Sequence, residues 1–324
     1  MSPSYEDVLA AAARIAPFVH RTPVVTCSAL DELCGAQLFL KCENLQKVGA
    51  FKARGATNAV LSLSDEEAAR GVATHSSGNH AQALALAARR RGIPAWIVMP
   101  TTAPAVKRAA VAGYGAEIVP CEPTLAAREQ TLREVVARTG AAFVPPYDDE
   151  RIIAGQGTAA LELVADAPAL DRVLCPVGGG GLLAGTAVAL SGCAPEVKVV
   201  GCEPEGADDT ARSFAAGRRL PAVDPRSICD GLLTSVGERN FPLIARLAAG
   251  IWTVPDRAVI AALRLLFERA KLVVERSGAI GLAAALVHRD ELAGARVGII
   301  LSGGNVDLDR LPWLPPGEDP CPTR

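Results

Sequence analysis

Lys52 has poor company for a solvated charge: it stands in VGAFKARGATNAV between Phe51 and Ala53, at the apparent start of a helix. Burial disfavours an ammonium, so a lysine held among apolar neighbours has its pKa lowered and its amine freed as nucleophile or base. A second unusual stretch is CPVGGGGLLAGTAVAL, Cys175 to Leu190, in which Gly178, Gly179, Gly180 and Gly181 separate an apolar strand-like run from a helical one. Backbone N–H groups left bare by glycine at a helix start make a cradle for phosphate, reinforced by the positive end of the helix. A purely structural turn needs one or two glycines, not four. In THSSGNHAQALALAA, Ser76, Ser77, Gly78, Asn79 and His80 head another helix. They serve there as ordinary capping residues, as a receptor for an anion such as a substrate carboxylate, or as both at once. In IILSGGNVD, a strand delivers Ser302 to its end, and two glycines let something approach closely. A Schiff-base amine beside a phosphate cradle is what pyridoxal 5′-phosphate requires.

The glycine run supports a competing reading. Gly179, Gly181 and Ala184 satisfy G-x-G-x-x-A, and Glu203 closes the following strand at the distance where a dinucleotide fold places its ribose-binding acid. A nicotinamide-dependent oxidoreductase is therefore an alternative, although it leaves Lys52 and the other two turns without a role. A cofactor-binding protein without turnover is a third.

These turns need strands to carry them. VATH (Val72 to His75), AWIVM (Ala95 to Met99), AEIVPC (Ala116 to Cys121) and AAFVP (Ala141 to Pro145) alternate with helical patterns at 81–91, 103–112 and 125–139. A second series begins near Gly155, with strands at RVLCPV (Arg172 to Val177), VKVVGC (Val197 to Cys202), IWTV (Ile251 to Val254) and RVGIIL (Arg296 to Leu301). Strand, helix, strand in this order argues parallel sheets with helical crossovers, and ligands in such sheets bind beyond the carboxyl ends of the strands. Two α/β units joined around Pro145 to Ile152 are the simplest account. The proline-rich tail after Leu311 reads as an extended surface segment.

Composition narrows the class of function. In 324 residues, 33 basic side chains against 35 acidic ones leave a net charge of −2, and no basic block is interleaved with aromatics, which argues against nucleic acid. The N-terminus carries acidic residues where a signal peptide has basic ones. The longest uncharged run, Val177 to Pro195, holds six glycines and a proline and suits a loop and buried helix rather than a membrane span. Nine cysteines without any CxxC point to free thiols in a reducing cytoplasm. The four histidines form no HExxH pair.

At the level of motifs the sequence resembles the fold-type-II pyridoxal-phosphate enzymes, specifically the serine/threonine dehydratase and serine racemase branch. The resemblance rests on HRTPV (His20 to Val24), KCENLQKVGAFKARGA (Lys41 to Ala56), THSSGNHAQAL, AGQGT (Ala154 to Thr158), PVGGGGLLAG, EPEGADD (Glu203 to Asp209) and LSGGNVD, in family order over nearly the whole chain. It implies two open parallel-sheet α/β domains: a large cofactor-binding one at 1–70 and 148–324, and a small one at 71–147, inserted in it and closing over the substrate. It implies that Lys52 holds the cofactor as an internal aldimine, with Phe51 beside the ring and Asn79 on the ring hydroxyl. Gly178 to Gly181 and Leu182 would hold the phosphate, and Ser302 would face the pyridine nitrogen. Ser76, Ser77, Gly78, Asn79 and His80 would grip the substrate carboxylate. Glu203, the Ala207 carbonyl and Asp209 match a divalent-cation site for Mg²⁺ or Ca²⁺.

The activity implied is dehydrative deamination of a β-hydroxy amino acid, L-serine or L-threonine, to a 2-oxo acid and ammonia, with Lys52 as base. Ser77 takes the position of the second acid/base of serine racemases, on the ring face opposite the lysine, so serine racemisation is a further implied activity and serine racemase an alternative main activity. PPYDD (Pro145 to Asp149) is more dehydratase-like. Arg276 stands where the family usually has proline: either this is a tolerated loop change, or the arginine lies near the site and receives a second carboxylate, moving the preference toward threo-3-hydroxyaspartate. A homodimer is the family expectation, with no regulatory domain after Leu311.

Overall fold

The computed structural model describes residues 2–103 and 105–313. The tail expected as a surface segment lies, from position 314 on, outside the described residues. Ten strands are found among the described residues, in chain order β1 (Val24–Val25), β2 (Gln37–Cys42), β3 (Val72–His75), β4 (Ala95–Pro100), β5 (Glu117–Cys121), β6 (Ala142–Phe143), β7 (Arg172–Pro176), β8 (Lys198–Pro204), β9 (Gly250–Val254) and β10 (Arg296–Leu301). They form a six-stranded sheet ordered β1-β2-β10-β7-β8-β9 and a four-stranded sheet ordered β5-β4-β3-β6. Only β1 runs antiparallel to its neighbour; the other pairs are parallel. The chain is thus an α/β protein whose six-stranded sheet is built from both ends of the sequence, with the four-stranded sheet formed by the stretch between.

Strands β3 to β10 follow the runs read from the sequence. β1 and β2 were not anticipated, because QLFLKC is flanked by short helical turns and its parallel partner β10 lies at the far end of the chain. The central strands β10, β7 and β8 are buried along nearly their whole length, as expected for parallel strands covered on both faces. Helices Gly181–Cys193 and Arg276–Val287 are accordingly apolar all round rather than amphipathic.

The helix that begins with Lys52, Lys52–Leu61, crosses helix Glu150–Asp166 at a point where neither can carry a side chain. A Cβ on Gly155 would sit 2.6 Å from the Gly55 Cα, and one on Gly55 would sit 2.9 Å from the Ile152 carbonyl oxygen. Two residues beyond the lysine, within the first turn, a buried charge cluster ties the same helix down. The Arg54 guanidinium donates to both carboxylate oxygens of Glu43 at 2.7 and 2.8 Å and to both of Glu162 at 2.7 Å. Lys41, fully buried, donates to Glu162 and to the Thr22 carbonyl, each at 2.7 Å. Two cations face two carboxylates, so the charges are paired as burial demands.

Candidate active site

Lys52 is the first residue of its helix, and the preceding residues hold it to the carboxyl end of β10. The Phe51 N–H donates to the Ser302 carbonyl at 3.0 Å, Ala50 bridges Gly303, and the Gly304 N–H donates to the Gly49 carbonyl at 2.9 Å. Ser302, just past the strand, is buried. The Lys52 Nζ donates to the Pro146 carbonyl at 2.6 Å and lies 5.0 Å from the Phe51 ring centroid. Burial pulls its pKa from 10.5 down to about 8, outweighing the opposing pull of the Glu275 carboxylate. The amine read from the sequence as perturbed is so placed in the structure.

Pro146 leads straight to the glycine turn. The Tyr147 ring lies flat against Gly179, where a Cβ would sit 2.3 Å from the ring Cγ, and the Tyr147 carbonyl abuts Gly181. Gly180 has φ +90° at the N-cap of helix Gly181–Cys193, a left-handed conformation that glycine adopts without strain. The other wall is Gly231–Leu232: a Cβ on Gly178 would meet the Leu232 Cα at 2.9 Å. Leu182, the second residue of the helix, is buried. No side chain caps this helix, so its first N–H groups face whatever the turn holds.

The same is true of helix Asn79–Arg91, whose N-cap is Gly78. Ser76 and Ser77, residues of capping type, do not cap it; the Ser76 Oγ instead accepts from the Gly78 N–H at 3.3 Å. The alternative of an ordinary capped helix start therefore gives way to an open one. Asn79 does not point at solvent. Its Nδ2 donates to Glu275 Oε1 at 2.9 Å and its Oδ1 accepts from Asn305 Nδ2 at 2.8 Å, which bridges the four-stranded unit to the loops beyond β10. The His80 ring is buried, with Nε2 on the Val144 carbonyl at 3.0 Å and its pKa pushed down to about 3 by burial and by nearby Lys52. What His80 can offer an anion is its backbone N–H rather than its imidazole.

The turns thus converge as the strand-end rule requires. Those after β10 and β7 are joined to each other through the Lys52–Pro146 bond and Tyr147, and to the turn after β3 through Asn79. The family model for pyridoxal-phosphate dependent enzymes matches residues 15–303. The chain belongs to this family. β-Hydroxyaspartate dehydratase of Paracoccus denitrificans is 50% identical over 311 residues, covering 96% of this chain and 99% of that protein. L-threo-3-hydroxyaspartate ammonia-lyase of Saccharomyces cerevisiae is 47% identical over 322 residues, covering 99% of each. The crystal structure of serine racemase from Dictyostelium discoideum superposes with a TM-score of 0.91 at 44% identity, covering 95% of this chain and 100% of that one. A nicotinamide-dependent oxidoreductase, the competing reading of the G-x-G-x-x-A spacing, is set aside.

In this pyridoxal-phosphate family member the residues fit the cofactor: a neutral-prone amine, a glycine turn into which no Cβ fits, and two uncapped helix starts. Glu203, the acid that the competing reading placed on a ribose, is fully buried at the end of β8 and accepts from the Thr210 and Ala211 N–H groups at 3.1 and 2.9 Å. Burial pushes its pKa up to about 8 and raises that of Asp209 as well. Asp209 Oδ2 accepts from the Val236 N–H at 2.8 Å, while its buried Oδ1 has no partner among the described residues. No group of three or more His, Cys, Asp and Glu side chains forms a metal cluster among the described residues; a cation here would use two carboxylates, the Ala207 carbonyl and water.

Arg276 opens helix Arg276–Val287, beside Ser277, whose Oγ accepts from the Gly231 N–H at 3.0 Å. Its Nη2 donates to the Arg310 carbonyl at 2.9 Å, and its buried Nε has no partner among the described residues. Sequence reasoning did not single out Glu275, Asn305, Tyr147 or Asn240, whose amide donates to the Gly179 carbonyl, for the parts they play here. Asn305 lies inside a quoted motif and Tyr147 inside PPYDD, but Asn240, in GERNF, carries no local signal at all. The eight cysteines among the described residues are free, as expected, and no helix there is long and apolar enough to cross a membrane.

Proposed function

We propose that this protein catalyses pyridoxal-phosphate-dependent elimination of water from a β-hydroxy amino acid, giving a 2-oxo acid and ammonia, with threo-3-hydroxyaspartate as preferred substrate. The observation that carries the reading is the Lys52 amine, half-buried and with its pKa pulled down to about 8, set between the glycine turn and the uncapped start of helix Asn79–Arg91. When bound, pyridoxal phosphate supplies an electron sink that acidifies the α-carbon and lets the β-substituent leave.

The chain's own residues do the rest. The N–H groups of the glycine turn would hold the phosphate, and Ser302 would meet the pyridine nitrogen without charging it. Asn79 presents its amide to the ring hydroxyl. The N–H groups at residues 76–80 receive the α-carboxylate and so orient the Cα–H bond toward Lys52 Nζ, which takes the proton in its neutral form. Ser77 would return a proton from the face opposite Lys52, and racemisation of serine is the side reaction this would permit.

Two relatives named for hydroxyaspartate, at 50% and 47% identity, support the substrate choice. Arg276 supports it physically: its guanidinium, on the helix that bonds Gly231 behind the glycine turn, keeps a buried Nε without a partner among the described residues and could receive a second carboxylate. We further propose that Glu203, Asp209 and the Ala207 carbonyl take Mg²⁺ or Ca²⁺ as a structural ion. The test is to incubate the enzyme, supplied with cofactor and Mg²⁺, with L-threo-3-hydroxyaspartate, L-serine and L-threonine separately, following oxo acid and the chirality of residual amino acid. Fastest oxo-acid release from hydroxyaspartate, slowed selectively by Arg276→Ala, supports the reading. Faster turnover of serine or threonine, or D-serine outpacing pyruvate, overturns the substrate choice.

A further inference from the structure

We propose that Asn240 is a positioning residue of the phosphate cradle, acting through the Gly179 carbonyl. The proposal rests on the reading that the glycine turn holds the phosphate of pyridoxal phosphate. Asn240 is fully buried at the head of helix Asn240–Leu247, yet its side chain does not cap that helix. Its Nδ2 donates to the Gly179 carbonyl at 2.6 Å and to the Tyr147 carbonyl at 3.3 Å. The amide orientation follows from these partners, since the flipped form would set an oxygen against two carbonyl oxygens. Its Oδ1 has no partner among the described residues, so the side chain is held there for its N–H₂.

The consequence lies in one peptide plane. The Gly179 carbonyl also accepts from the Gly237 N–H at 3.0 Å, so both of its lone pairs are taken. A trans peptide is planar, with its C=O and N–H pointing opposite ways. Pinning the Gly179 carbonyl by two donors therefore fixes where the Gly180 N–H points, away from Gly237 and Asn240. Glycine at φ +90° has no side chain to hold that plane, so the two donors are what fix its hydrogen-bonding direction. The 237–240 segment is itself anchored: Asp148 accepts from the Glu238 and Arg239 N–H groups at 3.0 and 2.9 Å. Asn240 thus joins the stretch that follows Pro146, the segment around Gly237 and the glycine turn into one hydrogen-bonded unit, and the turn enters cofactor binding with its plane already set.

The test compares two ligands that differ only in the phosphate. Dissociation constants of the apo-protein for pyridoxal 5′-phosphate and for pyridoxal are measured by absorbance titration in wild type, Asn240→Ala, Asn240→Asp and Asn240→Gln. One neutral hydrogen bond is worth about 1 kcal/mol, so Asn240→Ala should weaken pyridoxal phosphate about fivefold while leaving pyridoxal unchanged. Asn240→Asp, equal in size but without a donor, should weaken it further; Asn240→Gln, which keeps the N–H₂, should lie closest to wild type. Melting of the apo-proteins reports folding separately, and Asn240→Ala keeps the comparison alive if the aspartate variant does not fold. Equal weakening of both ligands, or of neither, overturns the role of Asn240. A wild-type protein that does not prefer pyridoxal phosphate over pyridoxal overturns the cradle reading instead.

Discussion

Replacing Gly179 by alanine adds one methyl group where the Tyr147 ring already lies. The new Cβ would sit 2.3 to 2.5 Å from the ring Cγ, Cδ1 and Cδ2. Carbon atoms rest no closer than roughly 3.5 Å, so ring and turn must separate by about 1 Å. The obstruction is the root of a ring rather than the far end of a flexible chain, and Tyr147 is further held by the Asn240 bond to its carbonyl. Overpacking of this kind costs about 1–3 kcal/mol. If the turn yields, the cost falls on cofactor affinity, a loss of roughly 5- to 150-fold in Kd; if Tyr147 yields, it falls on thermal stability. A double-mutant cycle separates the clash from either outcome. In a Tyr147→Ala background the methyl has room, so Gly179→Ala should there cost less than about 0.5 kcal/mol in both readouts. Wild-type affinity and melting in Gly179→Ala alone, or an undiminished penalty in the double variant, would refute the packing argument.

Other outcomes follow from the same geometry. Because burial holds the Lys52 pKa near 8, below the 10.5 of an unfolded lysine, the native amine is neutral between about 8 and 10.5 while the unfolded chain is charged. The stability of the apo-protein should therefore rise with pH across that window, and the rate of pyridoxal phosphate capture should climb through about pH 8; a flat profile in Lys52→Met identifies the group. Turnover of Lys52→Ala should fall by about 10²–10⁴-fold with borohydride labelling lost, and retained labelling would show another lysine at work. Arg54→Met leaves Glu43 buried without its cation and should cost about 3–5 kcal/mol in denaturant titration; a loss under 1 kcal/mol would show that the cluster is dispensable. Mg²⁺ at 100 times its Kd should stabilise the protein by about 2.7 kcal/mol, an effect abolished in Asp209→Asn; an unchanged melting curve in wild type would remove the cation.

Much of this was legible one motif at a time. Lysine among apolar neighbours, four glycines in a row and SSGNH after VATH are local statements, and a strand-to-helix turn is made by residues adjacent in sequence. The sheets were legible for the same reason, except β1 and β2; the apolar run of β2 acquires meaning only against β10 at the other end of the chain. Motif matching named Asn79 but not its partners Glu275 and Asn305, and it gave no sign that the Ser76 hydroxyl closes a turn on Gly78.

By itself, then, the sequence pointed to the chemistry, because an amine among apolar neighbours and a row of bare amides are properties of residue type and local order. Only the tertiary structure decided the geometry that makes them one site. The Tyr147 ring over Gly179, the Asn240 amide on the Gly179 carbonyl and the Lys52 bond to Pro146 each join residues distant along the chain. Such contacts exist because buried polar groups must find partners wherever packing brings them, and that requirement leaves no periodicity or motif in the sequence to read.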